Sequence, residues 1–110
     1  MMKLHRNATI AHEKMVNYLL QWRPENDKSR FLGSAGYTEK DGEQLAQDIR
    51  DQLLSLEAKF EETTEYGDMY SIMGLLIGPN GRAIHVMSIW MVESITNETK
   101  FITLYPKKED

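Results

Sequence analysis

The stretch Met69-Tyr70-Ser71-Ile72-Met73-Gly74-Leu75-Leu76-Ile77-Gly78-Pro79-Asn80-Gly81-Arg82-Ala83-Ile84-His85-Val86-Met87-Ser88-Ile89-Trp90-Met91-Val92 decides the fold. Two β-rich runs flank Pro79-Asn80-Gly81, and an Asn-Gly pair between such runs is the strongest short-range hairpin signal. With a side-chain period of two, Tyr70, Ile72, Gly74 and Leu76 share one face of the first run, and Met69, Ser71, Met73, Leu75 and Ile77 the other. The second run opposes Ile84, Val86, Ser88 and Trp90 to His85, Met87, Ile89 and Met91. Both faces are largely apolar. Helices can cover one of them, so the other calls for the N-terminal segment, a second copy or another protein. Alternatively, the helices and the N-terminal arm share the covering between them. The Met-rich face, with Met69, Met73, Leu75, Met87 and Met91, is the candidate partner interface, because flexible thioether side chains suit adaptable surfaces.

Outward from this hairpin the alternation continues. Lys59 to Glu65 and Lys100 to Tyr105 read as a first and a fourth strand, joined through Gly67-Asp68 and Thr96-Asn97-Glu98, and the four make an antiparallel meander. Upstream the period lengthens. Ala11, Met15, Tyr18, Leu19 and Trp22 fall on one helix face from about Ala11 to Gln21, before Pro24. A short helix over Lys28 to Leu32 is stopped by Gly33 to Gly36, and Leu45, Ile49, Leu53 and Leu56 predict a longer one from roughly Lys40 to Leu56. The expected architecture is α+β: two or three N-terminal helices followed by a four-stranded meander, in a single domain over residues 1–110.

Composition excludes several classes. The chain has 110 residues, 41% apolar and 27% charged, an ordinary globular balance. Its longest apolar run, near Ile72 to Ile77, is far short of the ~20 residues of a membrane helix, and the N-terminus shows no signal-type run, so a soluble cytoplasmic protein is expected. Without cysteine there is no disulfide, thiolate metal site or cysteine nucleophile. The net charge of −4 is unevenly spread: Met1 to Tyr37 carries six Lys/Arg against three acids, and Thr38 to Tyr70 three against ten. That balance argues against a general nucleic-acid coat, while a local cationic site can still hold a phosphate.

Few residues carry a chemical signal. No pair of histidines has zinc-ligand spacing and no glycine motif sits between a strand and a helix, so neither metal nor nucleotide cofactor is expected. Of the three histidines, mid-strand His85 is the best placed for binding or proton transfer. Lys28 and Arg30 open the short second helix, where cations and free N–H groups together favour an anion, unless both pair with nearby carboxylates. Trp90, with Thr103 and Tyr105 on a neighbouring strand, offers a ring to stack on a base and hydroxyls to bind phosphate; core or edge packing is the alternative.

An ordered set of motifs adds to this. Lys14-Met15-Val16-Asn17-Tyr18-Leu19-Leu20, Lys28-Ser29-Arg30-Phe31, Gly36-Tyr37, Tyr66-Gly67, Tyr70, Gly78-Pro79-Asn80-Gly81-Arg82, Trp90 and Thr103-Leu104-Tyr105-Pro106 resemble a bacterial, often cyanobacterial, family of small proteins of unknown function. That family has toxin-like members, and its solitary members are often encoded beside another small protein, as toxin–antitoxin pairs are. The order of elements also resembles the superfold shared by barnase, EndoU, colicin-type and RelE-type ribonucleases. The resemblance implies metal-independent cleavage of RNA by attack of a ribose 2′-hydroxyl on its own phosphate. Lys28, Arg30, Thr103 and Tyr105 would be catalytic, and Trp90, Arg82 and His85 would bind substrate. The chain departs from the family where a His-Pro and a glycine usually precede a Lys-Ala-x-Phe stretch: it has Arg23-Pro24, and Ser29 in place of the alanine.

Two functions are therefore expected to compete: a ribonuclease-toxin-like domain restrained by a protein partner, and a non-catalytic binding module or homodimer using the Met-rich face. Their partners are RNA in the first case and a small protein or a second copy in the second, with no membrane in either.

Overall fold

The structure, a computed structural model, describes residues 2–15, 19–20 and 28–107. Four strands form one antiparallel sheet in the order β1-β2-β3-β4: β1 Lys59–Thr63, β2 Gly67–Ile77, β3 Ala83–Glu93 and β4 Thr99–Pro106. The β2–β3 ladder is continuous from Gly67↔Glu93 to Ile77↔Ala83, as expected of two β-rich runs closed by one tight turn. Ahead of the sheet lie α1 His12–Lys14, α2 Lys28–Gly33 and α3 Gly42–Gln52.

The expected two or three N-terminal helices are corrected by this arrangement. Among the described residues only α3, with 11 residues, exceeds two turns, and the helical part that precedes the strands lies at residues 28–52. Of the helix expected from Ala11 to Gln21, α1 forms three residues, and Leu20 N–H reaches the Met15 carbonyl at 2.9 Å, a π-type i→i+5 bond. Residues 16–18 and 21–27 lie outside the described residues. After α2, tight i→i+3 turns from Ala35 N–H to Leu32 and Gly36 N–H to Gly33 end the helix, and Gly36 turns the chain at φ 98°. The last turn expected of α3 is also absent. Leu54 N–H bonds back to Ile49 at 3.2 Å, and the Gln52 amide leaves the helix direction to bond both Ile77 N–H, at 2.7 Å, and Ile77 C=O, at 3.1 Å.

The core fills one side of the sheet. Leu32, Leu45, Ile49 and Leu53 from the helical part meet Ile72, Leu76, Val86, Trp90 and Leu104 from the strands, all of them fully buried. The N-terminal arm is used on this same side: Leu4 and Ala8 join the core, and Arg50 of α3 donates to the carbonyls of Arg6 and Ala8, both at 2.8 Å. The arm then flanks β4, with Thr9 N–H to Thr99 C=O and Phe101 N–H to Thr9 C=O, both at 2.8 Å. Gly78 lets the β2–β3 turn sit directly on the α2–α3 loop, since a Cβ there would come within 2.0 Å of the Ala35 carbonyl oxygen.

Candidate functional site

The alternate residues of β2 and β3 face away from this core. Met73, Leu75 and Ile77 are 47%, 57% and 51% exposed, and Met69, Met87, Ile89 and Met91 are half-buried. The five residues expected at a partner interface, Met69, Met73, Leu75, Met87 and Met91, thus share one sheet face. Cross-strand neighbours share a face, so the pairings Ile89↔Thr103 and Met87↔Tyr105 add these two β4 residues to it. An open groove of about 790 Å³ runs from the Leu56-Glu57-Ala58 bend over Lys59 and Glu61 to Met73, Met87 and Lys107. Within it the Ser71 hydroxyl donates to Glu61 Oε2 at 2.5 Å, leaving the Met-lined floor apolar between charged rims. Lys100, opposite Met91, donates to Glu93 at 2.9 Å. Thr96 and then Lys100, by hydrogen bonding, hold the Glu93 carboxyl below its ordinary range, and Glu93 in turn raises the Lys100 ammonium.

The residues proposed for RNA chemistry do not assemble into one cleft. Trp90 is 0% exposed; its ring packs edge-on against Phe101 at 5.2 Å, and its Nε1–H donates to Ser88 Oγ at 2.9 Å, which itself donates to the Ile72 carbonyl at 2.8 Å. A ring enclosed in this way has no face to offer a base, so Trp90 is corrected from a stacking residue to a core residue. It also lies on the opposite side of the sheet from Thr103 and Tyr105. A register shift between Ile89 and Trp90 is the cause: it leaves Ile102 as the extra residue of β4, placing Phe101 beside Trp90 while Thr103 pairs with Ile89 on the other face.

One expected contact is present. The Lys28 ammonium donates to Thr103 Oγ1 at 2.8 Å, bringing the start of α2 to the β4 edge. Arg30 is exposed, as is Tyr105 at 42%; neither makes an ion pair or side-chain hydrogen bond among the described residues. His85 is half-buried near the far end of β3, where its carbonyl accepts from Lys107 N–H at 3.0 Å. Arg82 lies beyond it in the exposed β2–β3 turn. At ~3.4 Å per residue, Arg82 is roughly 24 Å along the strand from the Ile89–Thr103 pair, whereas His85 is roughly 14 Å from it and two residues from Met87, the partner of Tyr105. No group of three or more histidine and acidic side chains with metal-holding geometry occurs among the described residues.

Comparison with known proteins supplies the family. A family model described as "Domain of unknown function (DUF6883)" matches residues 2–108. The chain belongs to the DUF6883 family. This DUF6883 chain is also similar to a chain of a contact-dependent growth inhibition toxin–immunity protein complex from Klebsiella pneumoniae 342, with a TM-score of 0.58 and 23% identity over 94% of this chain and 96% of that one. At that identity the likeness carries the fold. No curated protein matches the chain. Neither finding extends to the ribonuclease superfold. Among the described residues no helix is long and apolar enough to cross a membrane.

Sequence reading missed Glu57, Lys59, Glu61 and Lys107 as rim residues of the groove. Their signal was present in Lys59 and Glu61, both at odd positions on an edge strand whose neighbour carries Ser71 and Met73 on the same face.

Proposed function

We propose that this DUF6883 domain is the partner-binding member of a small two-protein system of the toxin–immunity type, and that it docks a second, different protein on the Met-lined sheet face. The observation that carries the reading is the run of Met73, Leu75 and Ile77, each about half exposed, on one sheet face. Contiguous exposed apolar surface of this kind marks interaction sites, and methionines adapt it to a partner. The fold shared with a chain of a toxin–immunity complex supports a different protein as the occupant, rather than a second copy. Both proteins would meet in the cytoplasm.

The test is isolation of the tagged protein from cells that encode it, followed by calorimetry with the protein that co-elutes. Wild type retains one partner in fixed ratio, and Leu75→Glu/Ile77→Glu loses it while its circular dichroism is unchanged. A partner held equally by that variant would move the interface elsewhere.

The Lys28–Thr103 contact favours a second reading, metal-independent cleavage of RNA. In it a ribose 2′-hydroxyl attacks its own 3′-phosphate, and the 5′-oxygen of the next nucleotide leaves to give a 2′,3′-cyclic phosphate and a 5′-hydroxyl. Lys28 and Arg30 stabilise the developing charge, and Thr103 or Tyr105 positions the phosphate. Arg82, in the β2–β3 turn, would contact only a longer stretch of RNA, while His85 shares a face with Tyr105, one cross-strand position away. Total RNA incubated with EDTA separates the readings: cleavage that disappears in Lys28→Ala/Arg30→Ala supports the nuclease, and intact RNA at micromolar protein ends it. The acidic charge of −4 weighs against it, because RNA binding without sequence preference relies on cations meeting phosphates.

A further inference from the structure

The two edges of the sheet are treated differently. The β4 edge is flanked by Thr9 through two backbone hydrogen bonds, whereas on the β1 side the described part of the arm bonds only the residue before the strand, Ala58 N–H donating to Met2 C=O at 2.8 Å, and all five residues of β1 are exposed. Its backbone is set to pair outward. Thr64 and Gly67 exchange both N–H···O=C bonds, at 2.9 and 3.3 Å, which makes them a hydrogen-bonded pair. The next pair, Thr63↔Asp68, is then of the non-hydrogen-bonded type, and Thr63 directs its N–H and C=O away from β2. Beside this edge opens the groove floored by Met73 and Met87 and rimmed by Lys59 and Glu61.

Charge decides what fits. Residues 57–65 carry Glu57, Glu61, Glu62 and Glu65 against one Lys59. A second copy would bring the same carboxylates to the same edge and be repelled, and the irregularity between Phe60 and Glu62 further discourages pairing of like with like. A strand rich in lysine or arginine meets the opposite condition. We infer that β1 accepts an extended basic segment of the partner protein by strand addition: its main chain pairs with the outer edge of β1, an apolar side chain enters the groove toward Met73 and Met87, and basic side chains on the same face nearer the turn lie against Glu62 and Glu65. This deepens the partner-binding reading and rests on it.

The probe is an end-capped peptide with a valine-rich and a lysine-rich half, added to the full chain and followed by residue-resolved amide hydrogen exchange and by titration at low salt. The peptide binds, and exchange at Thr63 slows at least tenfold. A valine–glutamate peptide and a lysine peptide N-methylated at alternate residues fail to bind, and Glu62→Lys/Glu65→Lys weakens binding about tenfold. Equal binding of the acidic or N-methylated peptide, or no binding at all, overturns strand addition. So does protection confined to β3 and β4, an outcome that would leave the sheet face as the docking surface. Failure of the broader reading shows separately, as partner binding untouched by Leu75→Glu/Ile77→Glu, neither of which lines the groove.

Discussion

The two faces of the β2–β3 hairpin are built from similar residues and end in opposite conditions. On one face Ile72, Leu76, Val86 and Trp90 are fully buried; on the other Met73, Leu75 and Ile77 keep about half their surface in water. Hydrophobicity alone does not distinguish them, since each alternate set is dominated by aliphatic and thioether side chains. What differs is the polar chemistry beneath the covering. The buried face contains Ser88, whose hydroxyl satisfies both the Trp90 indole and the Ile72 carbonyl, and across the α2–α3 segment the Tyr37 phenol donates to Asp48 at 2.6 Å. These buried polar atoms have partners, as a permanent interior favours, and Ser29 Oγ in α2 is buried without one among the described residues. The open face has no such network across its Met-lined centre. Its polar groups sit at the rim, the arrangement of a surface that is covered part of the time.

Breaking the buried face should have the largest effect. Trp90→Ala removes a fully enclosed ring and its contact with Phe101, and is expected to lower unfolding free energy by ~3–5 kcal/mol, read from urea denaturation. Ser88→Ala leaves the Trp90 N–H buried without an acceptor, a loss of ~1–3 kcal/mol on the same measurement. The Tyr37 phenol sharpens the contrast through pH. Burial, then the hydrogen bond to Asp48 and the charges of Asp48 and Asp41, raise it above its ordinary range. Below about pH 10 the phenol is protonated in both folded and unfolded chains and adds no pH dependence. Above that value the unfolded chain releases the proton and the folded one holds it, so stability falls by about 1.4 kcal/mol per pH unit for this group. Tyr37→Phe costs ~1 kcal/mol near neutrality, and comparison of its alkaline melting profile with wild type shows that slope removed. The smallest effect on stability belongs to the open face: Leu75→Glu changes unfolding free energy by no more than ~0.5 kcal/mol in calorimetry while abolishing partner binding.

The strands were legible because Asn80-Gly81 and period-two alternation are local signals, and each observed strand end lies within two residues of its expected position. The helical part was not, for reasons that depend on distant groups. Leu53 and Leu56 continue the spacing of Leu45 and Ile49, yet Gln52 turns to the backbone of Ile77, and a side chain's preference for a strand end does not show in a helical pattern. The grouping of Trp90 with Thr103 and Tyr105 failed at one residue. Reading Trp90, Thr103 and Tyr105 as neighbours assumed an unbroken β4, and the extra Ile102 moves Thr103 to the face opposite Trp90. A bulge carries no periodic mark. Lys28 and Thr103 do meet, through a hydrogen bond between the start of α2 and β4. The Met-rich face followed from alternation, but alternation between two apolar sets left open which one the helices would take.

Cross-linking mass spectrometry on the protein isolated from cells that encode it tests most directly whether the open face is an interface. Docking there predicts one protein partner, cross-linked through the rim lysines Lys59, Lys100 and Lys107 and released by Leu75→Glu/Ile77→Glu. A partner cross-linked only through Lys3 or Lys40, and retained by that variant, would contradict it.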